Sequence, residues 1–348
     1  MNGNIIVLTL SQIFSFTAAP VTVFLSGIIG SQISPLKSLS TLPMSISVVG
    51  IAIGAIFASK LMSITGRKVG FMVASIVNTL VSILAAYSIF AQSFSIYCVA
   101  NFFLGMGMAF THQYRFAAAE SVNKDKVPRA ISIILLGGIV SAFMGPSVAN
   151  FSKDLFSNHI YVGSYLSLAA LTFLPTIFFI FYKNTSKIEL SFKYSGRSYL
   201  ELVSQPRFLQ AVISSAFGYA IMTFLMTGTP LSMHVIEGIS LNKTSIVIQI
   251  HVACMFLPSL IAGNLVKRIG HSKMMYVGVG LYCLTVIISL FDQSFLNYML
   301  ALIFLGFGWN FLFISGTSLL VLTYKEEEKY RAQGFNAVSN THLRAHET

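Results

Sequence analysis

Ten long, mostly apolar runs follow one another along this chain, and nearly every charge lies between them. A soluble domain carries about 25% charged residues. Here charged residues make up 9% and apolar residues 55% of 348. One or two aqueous cores cannot bury that much apolar surface. A bilayer can, because a helix of about 20 apolar residues spans the hydrocarbon and satisfies its own backbone. The runs fall at 5–30, 42–62, 69–91, 94–116, 130–151, 160–182, 208–232, 244–265, 273–291 and 297–323. The expected fold class is an all-α polytopic membrane protein.

The basic residues set an expected orientation. With the N-terminus in the cytoplasm, nineteen of the 22 Lys and Arg residues fall on the inner side, leaving only Lys37, Lys153 and Lys243 outside. Such one-sidedness follows the positive-inside rule. It also accounts for the net charge of +11 without a nucleic-acid partner, since a nucleic-acid binder gathers its basic residues on one soluble face. Cys98, Cys254 and Cys283 lie inside apolar runs and form no paired motif, so neither a disulfide framework nor a metal site is expected. The first run is too long for a signal peptide and lacks a basic lead, so it is expected to be the first span.

The longest polar stretch, about 183–206, divides six runs from four. The two parts resemble each other. Phe16-Thr17-Ala18-Ala19-Pro20 is similar to Met226-Thr227-Gly228-Thr229-Pro230, 210 residues on, and Gly66 and Gly270 sit in short basic loops 204 residues apart. A duplicated helical unit with a solute site between its copies is a common plan among secondary transporters.

Three motifs carry a family resemblance. Ser59-Lys60-Leu61-Met62-Ser63-Ile64-Thr65-Gly66-Arg67-Lys68 keeps the end of the pattern Gly-x-x-x-Asp-Arg-x-Gly-Arg-Arg/Lys, and Gly263, Lys267, Arg268 and Gly270 form its second copy. The fifth run, with Gly138, Gly145 and Pro146, resembles the glycine-rich Gly-Pro motif of antiporters. The tenth carries Gly308-Trp309-Asn310-Phe311, followed by Arg331-Ala332-Gln333-Gly334-Phe335-Asn336. The chain thereby resembles the major facilitator superfamily, and in particular a bacterial permease subgroup. The resemblance implies two pseudo-repeated six-helix bundles, an inner-membrane location, a monomer, a small-molecule substrate moved by alternating access, no cofactor and no enzymatic activity. It implies a gating role for the Gly66-Arg67-Lys68 loop, although Ser63 in place of the family Asp removes half of the usual charge pair.

The expected division is a six-helix bundle over 1–182, a cytoplasmic loop over 183–206, a four-helix bundle over 207–336 and a polar tail over 337–348 that leaves the family pattern. That amounts to about ten of twelve helices, so the second bundle is expected to be cut short. An inactive remnant or a non-transporting receptor is the alternative to a working transporter.

Polar groups within spans are costly and mark candidate sites. Asn101, Gly105, Met108, His112 and Arg115 share one helical face by their spacing. Asn101 stands where antiporters place an Arg, ahead of Gly105 and Gly107. Arg115 is a substrate or gating candidate, or alternatively an inside anchor. His112, His234 and His251 can carry protons, or simply hydrogen-bond within the packing. Gln12, Tyr219, Gln249, Trp309 and Asn310 are cavity-lining candidates, with Trp309 able to stack on an aromatic ligand. Glu120, Asp154, Glu237 and Asp292 all lie at span ends or in loops. Antiporters of this kind usually couple to protons through a buried carboxylate, so a coupling proton stays open here.

Overall fold

Two glycines turn the chain where the sequence places its tight basic loops. Gly66 has φ 79° and ψ 166°, and Gly270 has φ 84° and ψ 160°. Side chains with a Cβ rarely adopt that backbone, so the same turn is made by the same residue type in both copies. The computed structural model describes residues 2–122, 127–184, 197–325, 328, 332, 335, 336 and 339.

The first predicted run breaks into α1 (Gly3–Ser15) and α2 (Ala18–Ile33). Pro20 lacks an N–H, and the chain compensates locally: Ala19 N donates to Phe16 O and Val21 N to Thr17 O. α3 (Leu42–Phe90) contains two spans joined at Gly66. α4 (Phe94–Thr111) and the short α5 (Tyr114–Glu120) follow, then α6 (Val127–Ser152) and α7 (Val162–Ile180). After α8 (Tyr199–Val203) comes α9 (Pro206–Pro230), which passes into a π-helical turn at Leu231–Ile236. α10 (Leu241–Phe256), α11 (Ser259–Ile269), α12 (His271–Ser289) and α13 (Phe295–Val321) complete the order. Among the described residues there is no strand, and nine helical segments are long and apolar enough to cross a bilayer. The fifth predicted run, outside those nine, is α6, a continuous helix of 26 residues.

The chain forms two compact units. The first combines Met1–Leu190 with Thr227–Ala253, and the second combines Ser191–Met226 with Cys254–Thr348.

Within the first unit, α3 and α4 meet backbone to backbone. A Cβ on Gly105 would lie 1.9 Å from Ser47 O, and one on Gly50 would lie 2.0 Å from Phe102 O. Small residues let membrane helices approach this closely, replacing a solvent-driven core with van der Waals packing. Two apolar clusters fill the rest, one around Phe24, Ile28, Leu104 and Tyr165, the other around Phe71, Tyr114 and Phe179. Their buried tyrosines find partners: Tyr97 and Tyr165 hydroxyls pair at 2.7 Å, and Tyr114 meets Ser15 Oγ at 3.0 Å. Ile56, Phe57, Leu80, Phe224, Tyr276 and Ile287 point outward with half or more of their surface exposed. That outward apolar face suits hydrocarbon rather than water, and the chain is a multi-pass membrane protein.

Candidate functional site

α4 carries Asn101, α13 carries Trp309 and Asn310, and the two helices share a segment of sequence. Phe103-Leu104-Gly105-Met106-Gly107-Met108-Ala109-Phe110 matches Phe304-Leu305-Gly306-Phe307-Gly308-Trp309-Asn310-Phe311 at a separation of 201 residues. The second glycine of each meets an equivalent neighbour. A Cβ on Gly107 would lie 1.7 Å from Asn78 Oδ1, and a Cβ on Gly308 2.6 Å from the Tyr282 ring. Asn78 and Tyr282 are themselves 204 residues apart, the same separation as Gly66 and Gly270. The repeat was therefore readable in this segment, which motif matching by family pattern passes over.

In the second unit, Trp309 is the centre of an aromatic cluster. Phe313, one turn on, stacks on it at 4.9 Å and 9°. Tyr219 of α9 meets its edge at 5.0 Å and 83°, and Phe256 of α10 at 6.1 Å and 77°. The i, i+4 spacing of Trp309 and Phe313 puts both rings on one helix face. Trp309 is 3% exposed, yet its indole Nε1 has no hydrogen-bond acceptor. Leaving a buried donor unmade costs about 1–3 kcal/mol. Asn310 Nδ2 donates to Met255 O at 2.6 Å and Ser259 Oγ at 2.7 Å, while its Oδ1 is left without a donor. The same helix is held against α9 by Ser214 Oγ, which donates to Leu312 O at 3.0 Å. Tyr282 OH, from α12, donates to Gly218 O on α9 at 2.6 Å.

In the first unit, Asn101 is fully buried. Its Nδ2 donates to Tyr97 O at 2.9 Å and its Oδ1 has no donor. α4 ends at Thr111, with His112 as its C-cap, so Arg115 lies on the separate helix α5. The Arg115 guanidinium sits 4.9 Å over the Phe116 ring. Gln12 is buried on α1 and His251 is fully buried on α10. The Gly-Pro motif of α6 serves as a packing stripe. A Cβ on Gly145 would lie 2.9 Å from Pro20 Cγ, Ser141 Oγ donates to Ile13 O at 2.6 Å, and Gly138 and Pro146 are both buried.

The basic loops differ between the units. Arg67 makes a two-pronged ion pair with Glu120, Nε to Oε2 at 2.6 Å and Nη2 to Oε1 at 2.5 Å. Lys68 Nζ donates to Ile180 O at 2.5 Å and its backbone N to Asn184 Oδ1 at 3.0 Å. In the other loop Arg268 is exposed and, among the described residues, joins no ion pair; Gly263 and Lys267 lie on α11 with their side chains outside the described residues. The second unit has a different pair. Glu328, 1% exposed, accepts from Arg197 Nε at 2.7 Å, Arg197 Nη2 at 2.6 Å, Arg197 N at 3.0 Å and Lys325 N at 2.9 Å. The hydrogen bonds from Arg197 hold this carboxyl well below the usual carboxylate range.

Apolar helices in two related units, with aromatic and amide groups gathered on matching helices, define a helical membrane transporter. The chain belongs to the major facilitator superfamily, whose family model matches residues 5–343. It is 35% identical over 335 residues to a riboflavin transporter, RfnT, of Brucella anthropi, covering 96% of this chain and 84% of that protein. An uncharacterized MFS-type transporter of Bacillus subtilis, YdeG, is 27% identical over 95% of this chain and 80% of its own length. Among solved structures, a bacterial homolog of the human lysosomal transporter Spinster, inward-facing and unoccupied, superposes with a TM-score of 0.69 at 13% identity. That match covers 98% of this chain and 80% of the other. The chain is thus a transporter and not an enzyme, and it meets a small-molecule substrate and the surrounding bilayer.

Proposed function

We propose that this transporter carries a planar heteroaromatic solute of the flavin class across the inner membrane, with its N-terminus in the cytoplasm. The observation that carries the reading is the Trp309 cluster: three aromatic rings around an indole whose buried N–H has no acceptor. Such a group stacks on a flat ring system and donates to a ring carbonyl, two features that a flavin combines. Phe313 is only partly buried, so its rotation would free the indole face for the ligand. The name of the 35% identical relative agrees with this reading, and the basic residues support the orientation.

The cycle proposed uses no carboxylate inside a span. The described acidic residues Glu120, Asp154, Glu201, Glu237, Asp292 and Glu328 all lie at helix ends or in connections. Uptake of labelled riboflavin by a riboflavin-requiring bacterium that lacks its own flavin permease tests the reading. Accumulation that depends on this gene, and is competed by unlabelled flavin, is the expected result. Unchanged accumulation, with the protein present in the membrane, would reject the flavin class.

A further inference from the structure

Two buried polar atoms on successive residues of α13 stand unmet, and they are of opposite kind. The Trp309 indole Nε1 can only donate, and no acceptor meets it. An amide can offer either its oxygen or its nitrogen, and at Asn310 the neighbours decide which. α10 ends at Phe256 and α11 begins at Ser259, so the last carbonyls of α10 have no donor within their own helix. Met255 O is one of them. It can only accept, and it lies 2.6 Å from the Asn310 amide nitrogen. That nitrogen is therefore spent on Met255 O and on Ser259 Oγ at 2.7 Å. The free atom is Oδ1, an acceptor. Both residues are buried, where an unmet polar group is costly.

Their directions mark out a place for a ligand. Successive helical residues leave the axis about 100° apart. Trp309 turns toward Tyr219 on α9, and Asn310 toward the junction of α10 and α11. Phe313 and Thr317, four and eight residues beyond Trp309, project between those two directions. Both are half-buried, and Thr317 Oγ1 also has no hydrogen-bond partner. All of these groups belong to the second unit. A flat ring entering where Phe313 turns aside has a donor on one flank and an acceptor on the other.

We propose that Trp309 and Asn310 together read an imide edge of the substrate, a ring N–H set between two carbonyls. Asn310 Oδ1 accepts from the N–H, and Trp309 Nε1 donates to a carbonyl beside it. In a flavin this is the N3–H edge of the pyrimidine ring. The inference rests on the flavin reading and deepens it, because it makes Asn310 the residue that demands the ring proton. A site built to accept an N–H rejects an analogue that lacks it, since the buried acceptor is then stranded.

N3-methylriboflavin is the probe. It keeps the ring system, both carbonyls and the ribityl chain, and replaces the N3 proton with a methyl group. Its competition against uptake of labelled riboflavin is measured in cells, at matched protein levels in the membrane. With the parent chain it is expected to compete about tenfold more weakly than riboflavin. Equal competition overturns the inference and leaves the flavin reading standing. The methyl group also takes space, and Asn310→Leu separates crowding from bonding, because it keeps the side-chain volume and removes the acceptor. In that variant the two compounds are expected to compete within about twofold of each other. A preference as large as the parent's would come from crowding and overturns the inference. Asn310→Leu also gives up the bonds to Met255 and Ser259, so Trp309→Phe, which keeps a ring in the cluster, supplies a second variant. It is expected to weaken riboflavin about tenfold while the preference over the methyl compound persists. Unweakened riboflavin, or a preference that vanishes with the indole N–H, overturns the paired readout. If the parent chain moves no riboflavin, the flavin reading fails and this inference falls with it.

Discussion

α4 and α13 are two copies of one helical segment put to different uses. Both carry Phe-Leu-Gly-x-Gly, and in both the second glycine presses against a side chain of the preceding span, Asn78 or Tyr282. The next two positions diverge. α4 has Met108 and Ala109, buried and apolar, while α13 has Trp309 and Asn310, with an unmet indole N–H and an unmet amide oxygen. Duplication supplies the frame, and under the proposed flavin reading only one copy carries the recognition chemistry. If so, the two copies respond differently to the same truncation. Trp309→Ala should lower riboflavin uptake about thirtyfold, as for an aromatic anchor worth about 2 kcal/mol. Met108→Ala should change it less than about threefold, since it removes packing without polar contact. Equal losses at the two positions, measured as initial uptake rates at matched expression, would break the asymmetry.

The shared glycines allow a second test, of intermediate size. Overpacking a close helix contact costs typically about 1–3 kcal/mol, so Gly107→Ala and Gly308→Ala should both reduce the yield of folded protein in detergent. Their rescue should differ. Asn78 Oδ1 is buried without a donor, so Asn78→Ala removes the clash at little cost and should restore the Gly107→Ala protein. Tyr282 holds Gly218 O through its hydroxyl at 2.6 Å, so Tyr282→Leu should leave the Gly308→Ala protein impaired. Monodispersity on size-exclusion chromatography reads both outcomes.

The helices and tight turns were legible because few alternatives exist for them. A run of twenty apolar residues has nowhere to go but a bilayer, and only glycine readily adopts the backbone of Gly66 and Gly270. Trp309 stood out because it is the sole tryptophan of the chain. The ion pairs were hidden for a physical reason. With Ser63 in place of the family Asp, the Gly66-Arg67-Lys68 loop seemed to lack its acidic partner, but Glu120, 53 residues on, supplies one through tertiary packing. Arg197 and Glu328 are 131 residues apart, and no local spacing joins them. The hydrogen bonds from α10 to α6 were hidden for the same reason: Gln249 was a visible candidate, but its partners Ser147 and Phe143 are 102 and 106 residues away.

Those ion pairs give the smallest expected effects and the finest version of the comparison. The carboxylate of the second unit is 1% exposed and takes four hydrogen bonds, whereas the side chain of Glu120 is 36% exposed and takes two, both from Arg67. An exposed pair is worth about 0–1 kcal/mol. Glu328→Gln should therefore lower Tm in detergent by about 5 °C, and Glu120→Gln by about 1 °C. The pH dependence separates them further. Because the folded state depresses the Glu328 carboxyl, its stabilisation is fully present above the ordinary Glu range near pH ~4.3 and fades as pH falls below that range towards its own lower value. The Tm gap between the parent and Glu328→Gln should thus hold steady from neutral pH down to about 5 and narrow below it. A gap that instead opened on acidification would mean the carboxyl is held protonated, and the Arg197 clamp would have to be abandoned.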